Sequence, residues 1–235
     1  MKKTIIVSGG AKGLGKAIAR RFAEGGYNVA VCGRTLKDLH MFEQEIGSEF
    51  PDCRVLIFQA DLKNVAEANA FAAAVHSEFG GVEVLVNNAG TYIGGSICSE
   101  PDGVLENLME TNLYSAYYLS RAVLPQMRTA KTGHIFNMCS VASILAYPNG
   151  GSYSISKFAL LGFSKSIREE LKNEGIIVTS LLPGATWSDS WAGVDLPQDR
   201  LMPASDIAEL VWSASHLSKT GVVEEIIIRP QLGDL

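Results

Sequence analysis

The chain has 235 residues, of which 47% are hydrophobic and 19% charged, with a formal net charge of −5. That length is enough for a sizeable core, and the composition excludes a disordered chain. The acidic balance offers no basic stripe for nucleic acid.

The N-terminus, MKKTIIVSGG, carries two lysines, but its apolar run breaks at Ser8-Gly9-Gly10. A secretory core would be longer, so no signal peptide is expected. Thr4–Val7 reads as a first strand, and Leu14, Ile18 and Phe22 follow at the spacing of one buried helix face. Between strand and helix stand Gly9, Gly13 and Gly15. Glycines there permit a tight turn and a close approach of backbone to a pyrophosphate at the positive end of a helix. The spacing is G-x-x-x-G-x-G rather than G-x-G-x-x-G, and taken alone it could equally serve as a plain turn.

The second strand, Val29–Cys32, ends in VAVCGRT, so its tip carries Gly33 and Arg34 and no carboxylate. Thr35 followed by Asp38 resembles a capping box opening a helix from about Leu36 to Phe50. Further strand-like runs are Arg54–Phe58, Val82–Val86, His134–Cys139, Ile176–Leu182 and Val223–Ile228. Helical patterns lie near 64–79, 103–128, 152–173 and 204–218. Strand alternating with helix indicates βαβ units. Runs such as TIIV, VEVLV and IIVTSLL stay apolar throughout, as strands buried on both faces do. The expectation is an α/β fold: one doubly wound, Rossmann-type domain over 1–235, with a seven-stranded, mainly parallel sheet and helices on both faces.

The uncharged stretch Thr132–Ser156 contains Gly133, Asn137, Pro148, Asn149, Gly150 and Gly151, too many breakers for a membrane span. A cytoplasmic protein is expected. Cys32, Cys53, Cys98 and Cys139 form no C-x-x-C pair, and His40, His76, His134 and His216 have no metal-ligand spacing. Reduced thiols and no metal site are therefore expected.

In GSYSISKFALLG, residues 151–162, Tyr153 and Lys157 lie four positions apart on one helix face. Such a pair is either a solvated face or a phenol whose proton is tuned by an ammonium. At about 4 Å and an effective dielectric of about 20, their attraction is about 4 kcal/mol. That is roughly three pKa units before desolvation is subtracted.

Ser8-Gly9-x3-Gly13-x-Gly15, then NNAG at 87–90, then Ser140 with Tyr153-x3-Lys157, resembles the short-chain dehydrogenase/reductase family, in order and over nearly the whole chain. The resemblance implies a nicotinamide cofactor held by Ser8, Gly9, Lys12, Gly13, Leu14, Gly15, Arg34, Asp61, Leu62, Asn88, Ala89, Gly90, Pro183, Gly184, Thr186 and Ser188, with Tyr153 and Lys157 touching its ribose end. An acidic strand tip would select NAD, whereas an arginine accommodates a 2′-phosphate. Arg34 can pair with phosphate bidentately and Lys12 lies in the glycine loop, so NADP(H) is expected.

The family's chemistry implies that Tyr153 donates the proton in carbonyl reduction, that Lys157 lowers its pKa, and that Ser140 donates to the carbonyl. It implies that Asn112 holds a relay water. Ser8 and Ser188 stand where the family usually has threonine, and the usual C-terminal DGG is replaced by the ending EEIIIRPQLGDL.

On the substrate side, about 185–202 and the loops after strands four and five, stand Tyr92, Tyr147, Trp187, Trp191 and Asp189. Their rings could stack on a flat substrate or could simply pack. SWAGVD and the C-terminus resemble sepiapterin-reductase-like members, which reduce pterin side-chain carbonyls, while the core motifs resemble 3-oxoacyl-carrier-protein reductases equally well. The expected activity is NADPH-dependent reduction of a ketone to an alcohol, a pterin carbonyl being one candidate and a 3-oxoacyl thioester the alternative. A non-catalytic NADP-binding sensor or scaffold is the third reading, and it would have no use for a proton donor. The resemblance also implies a homodimer or homotetramer through helices at about 103–128 and 152–173, with no nucleic-acid or membrane partner.

Overall fold

A computed structural model describes residues 2–187, 197, 200–218 and 220–233. Strands β1 (Thr4–Ser8), β2 (Asn28–Gly33), β3 (Val55–Gln59), β4 (Val84–Asn87), β5 (Gly133–Met138), β6 (Ile176–Pro183) and β7 (Glu225–Ile228) form one sheet. Its order is β3-β2-β1-β4-β5-β6-β7, and every pairing is parallel. Strands β1, β4 and β5 are buried at every residue, which is why their sequences need not alternate.

Helices α1 (Gly13–Glu24), α2 (Leu36–Glu49) and α7 (Ala204–Ser215) cover one face of the sheet through Ile18, Phe22, Leu39, Ile46, Ile207 and Val211. Helices α3 (Val65–Phe79), α5 (Ser115–Ala130) and α6 (Gly151–Leu171) cover the other through Phe71, Val75, Leu119, Val123, Ile167 and Leu171. The strand order reverses between β1 and β4, so a crevice opens beyond their carboxyl ends, the usual ligand position in open α/β sheets. No helix among the described residues is long and apolar enough to cross a membrane.

Two local expectations are corrected. Thr35 is the N-cap of α2, but its side chain makes no cap bond, so the capping box with Asp38 does not form. The Asp38 carboxylate turns instead to Lys12 Nζ, at 2.9 Å. The expected helix over 103–128 is also interrupted: α4 (Val104–Met109) runs into a π-helical turn, Glu110–Tyr114, before α5 begins. Such a turn admits an extra residue into the helix and often marks a functional position. Here it carries Asn112.

Candidate active site

The first wall of the crevice is the turn between β1 and α1. Gly9 (φ +62°) and Gly13 (φ +51°) adopt left-handed backbone that glycine takes without strain. A Cβ on Gly15 would lie 2.5 Å from Asn88 Nδ2 and 2.6 Å from the Gly9 carbonyl, so only glycine lets these strands of backbone touch. The Asn88 amide donates to the Ser8 carbonyl at 2.9 Å and to the Gly9 carbonyl at 3.2 Å. The Ser8 hydroxyl accepts from the backbone N–H of Asn88 and of Ala89, both at 2.9 Å. Ser8 and Asn88 thus lock the tips of β1 and β4 together, and their side chains face the protein itself.

No side chain caps α1, and its first turn holds no acidic residue. Its leading N–H groups and positive dipole end are therefore available to an anion. These features fit the pyrophosphate of a dinucleotide. Beyond them runs an open groove of about 210 Å³, lined by Gly9, Lys12, Gly33, Arg34, Asp61, Leu62, Ala89 and Gly90 among others. Asp61 accepts from the Lys63 backbone N–H at 3.1 Å. Asp38 lines the same groove, so the absence of a carboxylate at the β2 tip does not extend to the groove as a whole. Leu14 follows Gly13 in the first turn of α1 and is packed against the core.

The second wall joins β5 to α6. Ser140 follows β5, its Oγ accepts from the Ala142 N–H at 3.1 Å, and its hydroxyl also hydrogen-bonds Tyr153. Lys157 is buried, with Nζ donating to the Met138 carbonyl at 2.8 Å and standing 5.8 Å from the centroid of the Tyr153 ring. Burial pushes the Tyr153 phenol above its ordinary value, and the Ser140 hydrogen bond opposes this only in part. Burial also lowers Lys157 from 10.5 to about 8. In this state desolvation outweighs the ammonium–phenolate attraction anticipated from the spacing, because the lysine turns toward a backbone carbonyl instead of the phenol.

Asn112 is fully buried. Its Oδ1 accepts from the Thr91 N–H at 2.8 Å, and Nδ2 donates to the Thr91 carbonyl at 3.1 Å and to Ser156 Oγ at 2.9 Å. A Cβ on Gly90 would lie 3.1 Å from Asn112 Oδ1 and 3.6 Å from Lys157 Nζ, so a side chain there would crowd both groups. Cys139 is beside this set, but burial pushes its thiol up to about 11, which removes it as a nucleophile near neutrality.

Of the substrate-side residues, Tyr92 stands edge-on to Tyr153, with ring centroids 4.9 Å apart, and is half exposed. Its loop is tied down at Thr91, by Gly95 N–H donating to the Asn149 carbonyl at 2.9 Å, and by the Ser152 hydroxyl donating to Glu100. Tyr147 and Trp187 are exposed. Pro183 closes β6, the Gly184 N–H donates to the Ile228 carbonyl at 2.8 Å, and Thr186 bridges to Met202. Ser188, Asp189 and Trp191 lie outside the described residues.

The sequence reading missed a buried polar chain beneath the site. Asn87 donates to Ser120 Oγ and to Asn137 Oδ1, both at 2.8 Å, Asn137 donates to Ser164 at 3.0 Å, and Ser180 donates to Ser164 at 2.7 Å. An asparagine inside the apolar run HIFNM was the available signal, since a buried amide requires partners.

A doubly wound sheet with a dinucleotide crevice and a Ser-Tyr-Lys wall defines a class of oxidoreductase. The family model described as short chain dehydrogenase matches residues 3–198. The chain belongs to the short-chain dehydrogenase/reductase family. It is 30% identical over 243 residues to a protein named sepiapterin reductase from Chlorobaculum tepidum, spanning 100% of this chain and 99% of that one. It is 32% identical to an NADP-dependent 3-hydroxy acid dehydrogenase of Salmonella typhi, over 91% and 89% of the two chains. Among solved structures, an alcohol dehydrogenase from Thermococcus sibiricus complexed with 5-hydroxy-NADP superposes with a TM-score of 0.91 at 25% identity, covering 100% and 99%. L-sorbose reductase from Gluconobacter frateurii, complexed with NADPH and L-sorbose, gives 0.88 at 26% identity over 97% and 95%.

Proposed function

We propose that this chain is an NADPH-dependent reductase that converts a carbonyl to an alcohol, with a pterin side-chain carbonyl as the favoured substrate. The observation that carries the reading is the convergence of Ser140, Tyr153 and Lys157 on one wall of the dinucleotide crevice. A sensor would need the glycine turn but not a phenol held by a serine hydroxyl.

In this reading the glycine turn and the α1 N-terminus hold the pyrophosphate, and Arg34 and Lys12 face the 2′-phosphate. Ser140 orients the substrate carbonyl, and Tyr153 gives its proton to the forming alkoxide. Both Asn112 Nδ2 protons are engaged, so a relay water between Asn112 and Lys157 would meet Asn112 through oxygen acceptors alone. The bound nicotinamide would supply the hydride and, once oxidised, a positive charge beside the phenol. Lys157, titrating near 8, can pass a proton toward Tyr153 without a large uphill step.

The pterin reading draws on the full-length similarity to the Chlorobaculum protein. The carrier-protein alternative would need a basic docking patch. Of the basic residues on α5, Arg128 is paired with Glu174 at 2.7 Å and Arg121 lies over the Tyr117 ring. We also read the chain as a cytoplasmic enzyme that forms a homodimer or homotetramer through the helical stretches at about 103–128 and 152–173.

Oxidation of NADPH followed with sepiapterin, simple ketones and acetoacetyl thioesters tests the assignment. The expected result is the highest kcat/KM with the pterin. A higher value with the thioester would transfer the chain to the carrier-protein reading, and no turnover with any carbonyl would leave only a binding role.

A further inference from the structure

We infer that Asp38 is a specificity-determining residue that tempers binding of 2′-phosphorylated nucleotides by competing with the phosphate for Lys12. The inference rests on the NADP(H) reading above. Asp38 sits in the first turn of α2, where a carboxylate would ordinarily serve the helix N-terminus, yet it takes no part in a cap with Thr35. It reaches across the groove from α2 to the N-cap of α1 and holds Lys12 Nζ at 2.9 Å. Lys12, Arg34, Thr35 and Asp38 all line the one groove. The cation nearest the glycine turn therefore already has an anion, one supplied by the protein.

A 2′-phosphate entering this groove must draw Lys12 away from Asp38, and it then shares the groove with the displaced carboxylate. A nucleotide with a 2′-hydroxyl has no such exchange to make and leaves the pair intact. The carboxylate thus lowers affinity for the phosphorylated dinucleotide while leaving the unphosphorylated one untouched. The Lys12 side chain is 57% exposed and that of Asp38 21%, so the effect has the size of a solvent-screened ion pair.

Dissociation constants for NADPH, NADH and 2′,5′-ADP, measured by fluorescence titration or calorimetry, test this in the wild-type chain, in Asp38→Asn, in Lys12→Met and in the double variant. Asp38→Asn should tighten NADPH and 2′,5′-ADP by about 2- to 5-fold, the range expected of one exposed pair, with NADH changed by less than that. The gain should shrink as salt is raised, and should largely vanish in the Lys12→Met background. NADPH affinity that is unchanged or weaker in Asp38→Asn overturns the inference, as does equal tightening of NADH or a full gain without Lys12. If the wild-type chain binds NADPH and Asp38→Asn does not respond, only this inference fails. If the wild-type chain binds neither NADPH nor 2′,5′-ADP, the cofactor reading fails and takes the inference with it.

Discussion

Tyr153 and Lys157 stand close enough to cooperate, yet neither has its ordinary proton affinity. At about 1.4 kcal/mol per pH unit, lowering Lys157 from 10.5 to about 8 disfavours the buried ammonium by roughly 3 kcal/mol. The folded value lies below the unfolded one, so the destabilisation is complete below pH 8 and is relieved as pH climbs from 8 toward 10.5. Lys157→Met should therefore raise Tm at pH 7 by a few degrees, with the gain fading toward pH 10, while turnover is lost. A calorimetric Tm that is unchanged or lower at pH 7 would contradict this account of the lysine. Ser140, Tyr153, Lys157 and Asn112 could be named as candidates from the sequence because each occupies a position in a spaced motif. The direction of the proton affinities was not, because it depends on where Nζ points, and the Met138 carbonyl is brought there only by the fold.

At the scale of the element, the glycine turn and the strands were readable for separate reasons. Strand positions followed from apolar runs, and observed boundaries moved by only one or two residues, as between Thr4–Val7 and Thr4–Ser8. The π-helical turn was not readable, because the apolar spacing of 103–128 fits a continuous helix nearly as well. Nor was the fate of Asp38, since a capping box and a cross-groove ion pair use the same residue at the same spacing. Gly15 gives the sharpest test of the turn. In Gly15→Ala the new methyl would meet Asn88 Nδ2 and the Gly9 carbonyl, both too rigidly held to yield. The variant should fold, by circular dichroism, and lose NADPH affinity by about 5- to 30-fold, the scale of one disturbed hydrogen bond or contact of 1–2 kcal/mol. Wild-type affinity in a titration would mean that the turn is only a turn.

At the scale of the whole molecule, the sheet order places the pieces. The reversal between β1 and β4 brings the glycine turn, the tip of β4 and the end of β5 to one crevice, and α6 runs back from it carrying Tyr153 and Lys157. The π-helical turn, α5 and α6 leave Tyr114, Tyr117, Ile155 and Phe158 exposed, an apolar surface suited to a second copy. Sedimentation should give a dimer or tetramer, and Phe158→Glu should shift it toward monomer; a monomeric wild type would remove this assignment. The substrate stayed illegible because it depends on loop side chains whose positions no local spacing dictates, and because Asp189 and Trp191 lie outside the described residues.

Turnover by Tyr153→Phe, measured beside its NADPH affinity, bears most directly on the phenol as proton donor. The ring and its contact with Tyr92 remain and only the hydroxyl is removed. NADPH binding should stay within about twofold of wild type and kcat should fall by at least about 10²-fold, the loss expected when a positioned acid is removed. Substantial residual reduction by that variant, with NADPH still bound, would contradict the claim that this phenol delivers the proton.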